Sequence, residues 1–338
     1  MSMLEKVWKR GKAFLGVEYP IVSGAMSWIS NYELCKAVSD AGGFPVLAGG
    51  NMPVDLFEKE VDRCIEGFNK PFAVNLITIA PNYKSHLEIL EKKEAVEFVV
   101  FAGNFPRKNE VERVKAAGKK AISFASTESI AAQMIRFGVD ALIIEGTEAG
   151  GHIGYVSLAV LLQQVLFKVG EVPIFVAGGI ATGKMMAHLL LMGAAGIQMG
   201  TRFVMTEECT AHENFKKAFM KAPARSAVST PQYDSRLPVV AVRALKNKGM
   251  DEFGRLQLKL LKQLEAGEID RMAAQYEVEN FWLGALRNAV VDGDVDTGSM
   301  MAGQSVGLME DIKPMQELIS RMVNEAEAEL QKVKELMS

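Results

Sequence analysis

Along the first 206 residues, apolar positions gather in eight short unbroken runs: Pro20–Ala25, Phe44–Gly49, Phe72–Leu76, Phe98–Ala102, Ala121–Ala125, Ala141–Glu145, Ile174–Gly178 and Ile197–Phe203. The runs are continuous rather than alternating with polar residues, which is the pattern of parallel strands buried on both faces. Between them lie amphipathic segments with helical spacing, such as Asn31–Ala41, Val54–Gly67, Glu110–Ala117 and Ser126–Phe137. Strand–helix alternation predicts βαβ units, and eight near-regular units predict an α/β fold closed into a (β/α)8 TIM barrel rather than an open doubly wound sheet. Past Arg202 the rhythm breaks. Residues 207–312 contain helical runs, for example Arg255–Leu264 and Glu279–Val290, and no clear strand. They are expected to form a helical substrate-domain insertion at the C-terminal rim of the barrel. In residues 313–338, Met315, Leu318, Met322, Leu330 and Val333 fall at helix spacing, which predicts one helix packing back on the barrel.

In such a barrel the chemistry belongs at the C-terminal ends of the strands, so the residues ending each run carry the functional reading. The first run ends in Gly24-Ala25-Met26, the third in Asn75 and the sixth in Glu145. The seventh ends in Gly178-Gly179 ahead of a helical run, and the eighth in Gly200-Thr201. Loops after strands 7 and 8, with a helix N-terminus, form the usual phosphate site of this fold, where backbone N–H groups bind the anion and side chains would obstruct it. The plain alternative is that these glycines serve only turns. After the sixth run comes Glu145-Gly146-Thr147-Glu148-Ala149-Gly150-Gly151-His152-Ile153-Gly154, a glycine-rich loop that can lie close to a planar ligand. His152, the one histidine in a strand-end loop, is the candidate proton donor or acceptor, against the alternative of a histidine bonded to backbone. His86 and His188 sit in helical patterns and His212 in a polar stretch; all three read as structural. Glu145 and Glu148 could pair as carboxylates, but with no clustered His or Asp beside them a metal site is not expected. Asn75 offers both a donor and an acceptor, or caps a loop. Met26 and Met301 stand out from the other methionines because each lies in a glycine-containing loop.

Composition narrows the class. Hydrophobic residues make up 49%, enough for a large core, and the formal net charge of −3 gives no long-range attraction to nucleic acid or anionic lipid. Cys35, Cys64 and Cys209 are scattered, with neither CxxC spacing nor an even-numbered framework. The basic N-terminal stretch lacks a long apolar segment and a small-residue cleavage site, and no run is long and apolar enough to span a bilayer. A cytoplasmic enzyme is the expectation. Three positive charges in six residues, Arg243, Lys246 and Lys248, together with Lys216, Lys217 and Lys221, form either a solvated helix face or a basic patch for an acidic partner.

Several segments together, YPIVSGAMSWIS, AVSDAGGFPVLAGG, KPFAVNL, DALIIEGTEAGGHIG, VPIFVAGGIATG, GAAGIQMGTRF, VRALKNK and GDVDTGSMMAGQSVGL, resemble the nitronate monooxygenase (2-nitropropane dioxygenase) family and its relative, the FMN-dependent enoyl-ACP reductase II. The resemblance runs over nearly the whole chain and implies an FMN-binding TIM barrel with a helical substrate domain. It implies that Gly24, Ala25 and Met26 line the flavin ring, that Asn75 and Glu145 bond flavin or ribityl groups, and that Gly151 belongs to the flavin-facing loop. Gly178, Gly179, Gly200 and Thr201 would hold the phosphate, and His152 would be the catalytic histidine. The activity the resemblance implies first is oxidation of alkyl nitronates with O2; the alternative is reduction of enoyl-ACP in fatty-acid synthesis, or of a related acceptor, by NADH or NADPH. VRALKNK and GSMMAGQSVGL look more like the reductase, whereas the strand-4 end FAGNFPRKN departs from the GAGNP pattern of that branch and the strand-5 end ISFAST departs from both. The expected partners are a small-molecule substrate, acyl carrier protein on the reductase branch, and a second copy in a homodimer.

Overall fold

A computed structural model describes residues 2–50, 52–237 and 241–338. Eight parallel strands close into a barrel: β1 (Ile21–Ser23), β2 (Phe44–Ala48), β3 (Ala73–Ile77), β4 (Phe98–Ala102), β5 (Lys120–Ala125), β6 (Ala141–Glu145), β8 (Ile174–Ala177) and β9 (Gly196–Met199). β9 pairs back on β1, Ile197 opposite Ile21. Helices connect the strands and begin where the sequence supplies a cap. The Asn31 side chain accepts from Leu34 N, Thr127 from Ile130 N and Thr182 from Met185 N, each satisfying a backbone donor that a helix start leaves unpaired. The chain is a TIM barrel.

Two-residue alternation along the strands explains how the barrel interior is filled. On β4, Phe98 and Val100 point inward while Val99 and Phe101 join the outer layer beneath the helices. At the N-terminal end the interior is an aromatic plug. Phe98 packs edge-on to Phe44, with ring centroids 5.1 Å apart, and to Phe14, at 5.6 Å. Phe14 comes from the helix Lys9–Leu15, so the basic N-terminal stretch closes the bottom of the barrel. The same alternation carried upward sets the character of the opposite end. Ala73 shares its face with Asn75, Ala141 and Ile143 share theirs with Glu145, and Gly196 shares its own with Gln198. The interior therefore turns from aromatic to polar along its own axis.

Two features differ from the sequence expectation. The run Ile197–Phe203 splits at Gly200 into a strand and a short helix, Thr201–Val204. The segment after β9 is not free of strands: β10 (Ala227–Ser229) and β11 (Val242–Leu245) form an antiparallel sheet with β7 (Gly151–His152). Two long helices, Lys248–Glu265 and Arg271–Val290, pack on that sheet around Phe253, Val278 and Trp282. The final helix, Met315–Leu336, lies against the helix Gly183–Leu191 so closely that a Cβ on Gly183 would fall 2.0 Å from Met322 O. Among the described residues, no helix is long and apolar enough to cross a membrane.

Candidate active site

A cavity of about 380 Å³ opens at the C-terminal mouth of the barrel, within the size range of small-molecule and cofactor sites. It is lined by Gly24, Ala25, Met26, Asn75, Glu145, Gly151, His152, Gly178, Gly179, Gly200 and Thr201. The structure thus brings together every residue that the sequence singled out for catalysis or cofactor binding.

The floor is polar and incompletely partnered. Asn75 is buried and donates from Nδ2 to Val100 O at 3.1 Å. This bond orients the amide within the barrel, so the loop-capping alternative does not hold. Among the described residues, neither the Glu145 carboxyl nor the buried Gln198 amide has a hydrogen-bond partner, and both line the cavity. Burial pushes the Glu145 carboxyl up to about 8, so near neutral pH it is largely a protonated donor. A Cβ on Gly24 would lie 3.1 Å from Gln198 Nε2, so the glycine leaves that amide room. Gln198 was not anticipated; its signal was a lone amide inside the buried run Gly196–Met199.

At the ends of β8 and β9 the glycines differ in kind. Gly178 and Gly179 have φ of +93° and +73°, a region that side-chain-bearing residues rarely enter. Gly200 has φ −123°, and a Cβ there would meet only the Met26 side chain, Sδ at 3.3 Å. Gly200 therefore has no need of glycine's left-handed freedom; that need lies at Gly178 and Gly179. Thr201 Oγ1 accepts from Gly303 N at 3.0 Å, tying the phosphate-type turn to the segment that returns from the insertion.

The glycine loop carrying His152 is fixed from outside the barrel. Val242 of β11 pairs with His152 and Arg243 with Gly151, and Ile153 N donates to Ala241 O at 2.9 Å. Arg243 donates from Nε to Thr147 O at 2.9 Å and from Nη1 to Ala227 O at 2.6 Å. Gly150 and Gly303 interlock: a Cβ on Gly150 would lie 2.5 Å from Gly303 N, and one on Gly303 would lie 2.9 Å from Glu148 O. Glu148 does not pair with Glu145. Its carboxylate accepts from Leu158 N at 3.1 Å and helps begin the helix Leu158–Leu161.

His152 stands half-exposed at the cavity wall, its Nε2 3.7 Å from Glu279 Oε2. Glu279, Trp282, Leu283 and Leu286 project from the helix Arg271–Val290 into the cavity, with Met301 beside them. Sequence reasoning did not single out Glu279. The local sequence Glu277-Val278-Glu279-Asn280-Phe281-Trp282 mixes polar and apolar residues and carries no local sign; only helix spacing puts Glu279 on one face with Trp282, Leu283 and Leu286.

The other histidines hold structure. His86 is buried and stacked on Phe57, with centroids 4.0 Å apart. His188 Nε2 lies 3.1 Å from Glu329 Oε1, and His212 Nδ1 accepts from Asn214 N at 3.1 Å. The basic segment needs a larger correction. Arg243 is buried in the clamp just described, and Lys216 is buried with Nζ donating to Thr206 O at 2.7 Å. Neither is free to meet a partner; Lys246, Lys248, Lys217 and Lys221 remain exposed.

Glycine turns in the left-handed region, unpartnered polar groups on the floor and a histidine at the wall fit a phosphate-bearing planar cofactor with a substrate beside it. That arrangement defines a TIM-barrel protein with a small-molecule site at its C-terminal mouth. The chain matches the nitronate monooxygenase family over residues 9–87 and 77–325, and it belongs to that family. It is similar to FabK from Thermotoga maritima, 32% identical with a TM-score of 0.83 over 99% of each chain. A (3aS,4S,5R,7aS)-5-hydroxy-7a-methyl-1-oxo-octahydro-1H-indene-4-carboxyl-CoA dehydrogenase of Mycobacterium tuberculosis (strain ATCC 25618 / H37Rv) is 29% identical, covering 94% of this chain and 95% of its own length. A probable nitronate monooxygenase of Staphylococcus aureus (strain Newman) is 24% identical over 94% and 98%. The protein is an enzyme, an oxidoreductase.

Proposed function

We propose that the protein is an FMN-dependent oxidoreductase that reduces an α,β-unsaturated thioester, carried on coenzyme A or acyl carrier protein, at the expense of NADH or NADPH. The observation that carries the cofactor is the barrel mouth itself: Gly178 and Gly179 with positive φ, above a floor where Gln198 and a protonated Glu145 have no hydrogen-bond partner among the described residues and the Asn75 amide is held by Val100 O. FMN bound there supplies two-electron chemistry. Gly178, Gly179, Gly200 and Thr201 would hold its phosphate, and Asn75, Glu145 and Gln198 would bond its polar edge. Gly24, Ala25, Met26 and Gly151 leave room for the ring. In net terms the thioester gains a hydride equivalent and a proton across its double bond, while the nicotinamide leaves oxidised. His152 would exchange a hydrogen bond or proton with the substrate. Trp282, Leu283 and Leu286 give the substrate side an apolar wall that excludes water.

The thioester reading is supported by the kinship with FabK and with a dehydrogenase named for a CoA ester. A second reading, oxidation of an alkyl nitronate with O2, is favoured by the family match and the staphylococcal relatives. Anaerobic reduction of the bound flavin separates them. On the thioester reading NADH or NADPH bleaches the flavin and crotonyl-CoA restores its colour. Bleaching by propane-2-nitronate with no response to either nicotinamide supports the second reading instead.

A further inference from the structure

We propose that Glu279, on the helix Arg271–Val290, is the positioning residue for His152: its carboxylate orients the imidazole by holding Nε2–H, which leaves Nδ1 to exchange a proton or hydrogen bond with the substrate. The inference rests on the reading of His152 as the group that meets the substrate, and it adds the residue through which the insertion prepares that group.

Four observations carry it. Glu279 Oε2 lies 3.7 Å from His152 Nε2, beyond hydrogen-bond distance but within ion-pair distance, and among the described residues it is the one carboxylate so placed. Such bonds are often long before substrate arrives and tighten in the complex. Secondly, the His152 ring makes no hydrogen bond to any described residue, and Gly150, Gly151 and Gly154 flank it, so neighbouring side chains do little to hold it. Its backbone is pinned by pairing with Val242, which leaves the ring's direction to a side-chain partner. Thirdly, Glu279 shares a helix face with Trp282, Leu283 and Leu286, at spacings of three, four and seven residues, and all four line the cavity. A carboxylate set among apolar neighbours on that face is placed to accept from a proton-donating partner across the cavity. Fourthly, the remaining acids near the loop are otherwise engaged: Glu148 receives Leu158 N, and Glu145 makes no ion pair with the ring. The proton position on a histidine is set by what its nitrogens face. A carboxylate opposite Nε2 therefore selects the Nε2–H form.

The test reads the ring directly. The chain has four histidines, so ¹⁵N-histidine labelling of the full-length, flavin-loaded protein gives few imidazole signals, and the H152A spectrum assigns the one sought. The wild type is expected to show His152 with Nε2 protonated. In E279A the two neutral tautomers should become mixed, and the nearly isosteric E279Q, whose amide oxygen still accepts, should restore part of the preference. Unchanged His152 signals in E279A and E279Q, with flavin content intact, overturn the proposal. Turnover supplies a second arm, measured with NADH and crotonyl-CoA or with propane-2-nitronate, whichever the wild type consumes. E279Q should lower kcat on the order of tenfold, with KM little changed, as loss of an orienting partner does. In an H152A background the same substitution should cost nothing further, because its effect passes through the ring. A full additional loss in the double variant also overturns the proposal. Wild-type turnover in H152A would instead overturn the catalytic reading of His152, and the spectra still decide the contact.

Discussion

At the scale of single residues, the two kinds of glycine at the barrel mouth make opposite predictions. Gly178 has positive φ, and a Cβ on it would lie 3.0 Å from Gly146 O, a backbone atom that cannot swing aside. An alanine in a left-handed conformation costs roughly 1–2 kcal/mol before any clash. Gly178→Ala should therefore emerge from purification with little flavin, whereas Gly200→Ala, which meets only the flexible Met26 side chain, should keep most of it. Equal flavin content in the two variants, read from absorbance per chain, would place the phosphate elsewhere. Glu145 makes a pH prediction. Folded, its carboxyl holds a proton up to about 8, while in the unfolded chain it releases that proton near the ordinary value of 4.5. Between these values the unfolded state binds fewer protons than the folded one, so stability falls as pH rises across that window. In flavin-stripped protein, Glu145→Gln should flatten the decline of the melting midpoint between pH 5 and pH 9. Parallel declines in wild type and variant would show that Glu145 does not hold its proton.

At the scale of elements, the small sheet β7–β11–β10 joins the insertion to the His152 loop, and Arg243 is its clamp. Removing a donor from buried carbonyls costs about 1–3 kcal/mol each, so Arg243→Ala should lower the urea midpoint of unfolding and reduce turnover. Arg243→Lys should fare little better, since one ammonium cannot span Thr147 O and Ala227 O as the guanidinium fork does. If Arg243 instead belonged to a docking face, both variants would keep the wild-type midpoint and lose only salt-sensitive turnover of a carrier-borne substrate. The element also shows where sequence reading stops. β7 is two residues inside a glycine-rich loop, and its partner, Val242-Arg243, lies far along the chain. No local periodicity marks such a strand, and an arginine looks the same in sequence whether it is solvated or buried beneath a loop. The barrel strands were legible for the opposite reason: burial on both faces writes itself into a continuous apolar run. Strand alternation then carried Asn75 and Glu145 to the mouth. Gln198 followed the same rule and was passed over because its run otherwise reads as core.

At the scale of the whole molecule, two parts of the chain share one cavity. The barrel supplies the floor and the glycine turns, while the segment after β9 supplies Glu279, Trp282, Leu283 and Met301. The return path is tied down by Arg202, whose buried guanidinium donates to Asp311 Oδ1 at 2.7 Å; Asp311 is also paired with Arg321 of the final helix. The floor is thus fixed by strand geometry, and the substrate wall depends on how the later segment folds over it. The most direct measurement of the central claim is the identity of the cofactor released by heat from the purified protein. A single phosphate-type turn pair, with no GxGxxG fingerprint after an early strand, predicts FMN at about one per chain, co-eluting with authentic FMN on chromatography. Recovery of FAD, or a protein that takes up no flavin on reconstitution, would contradict the account.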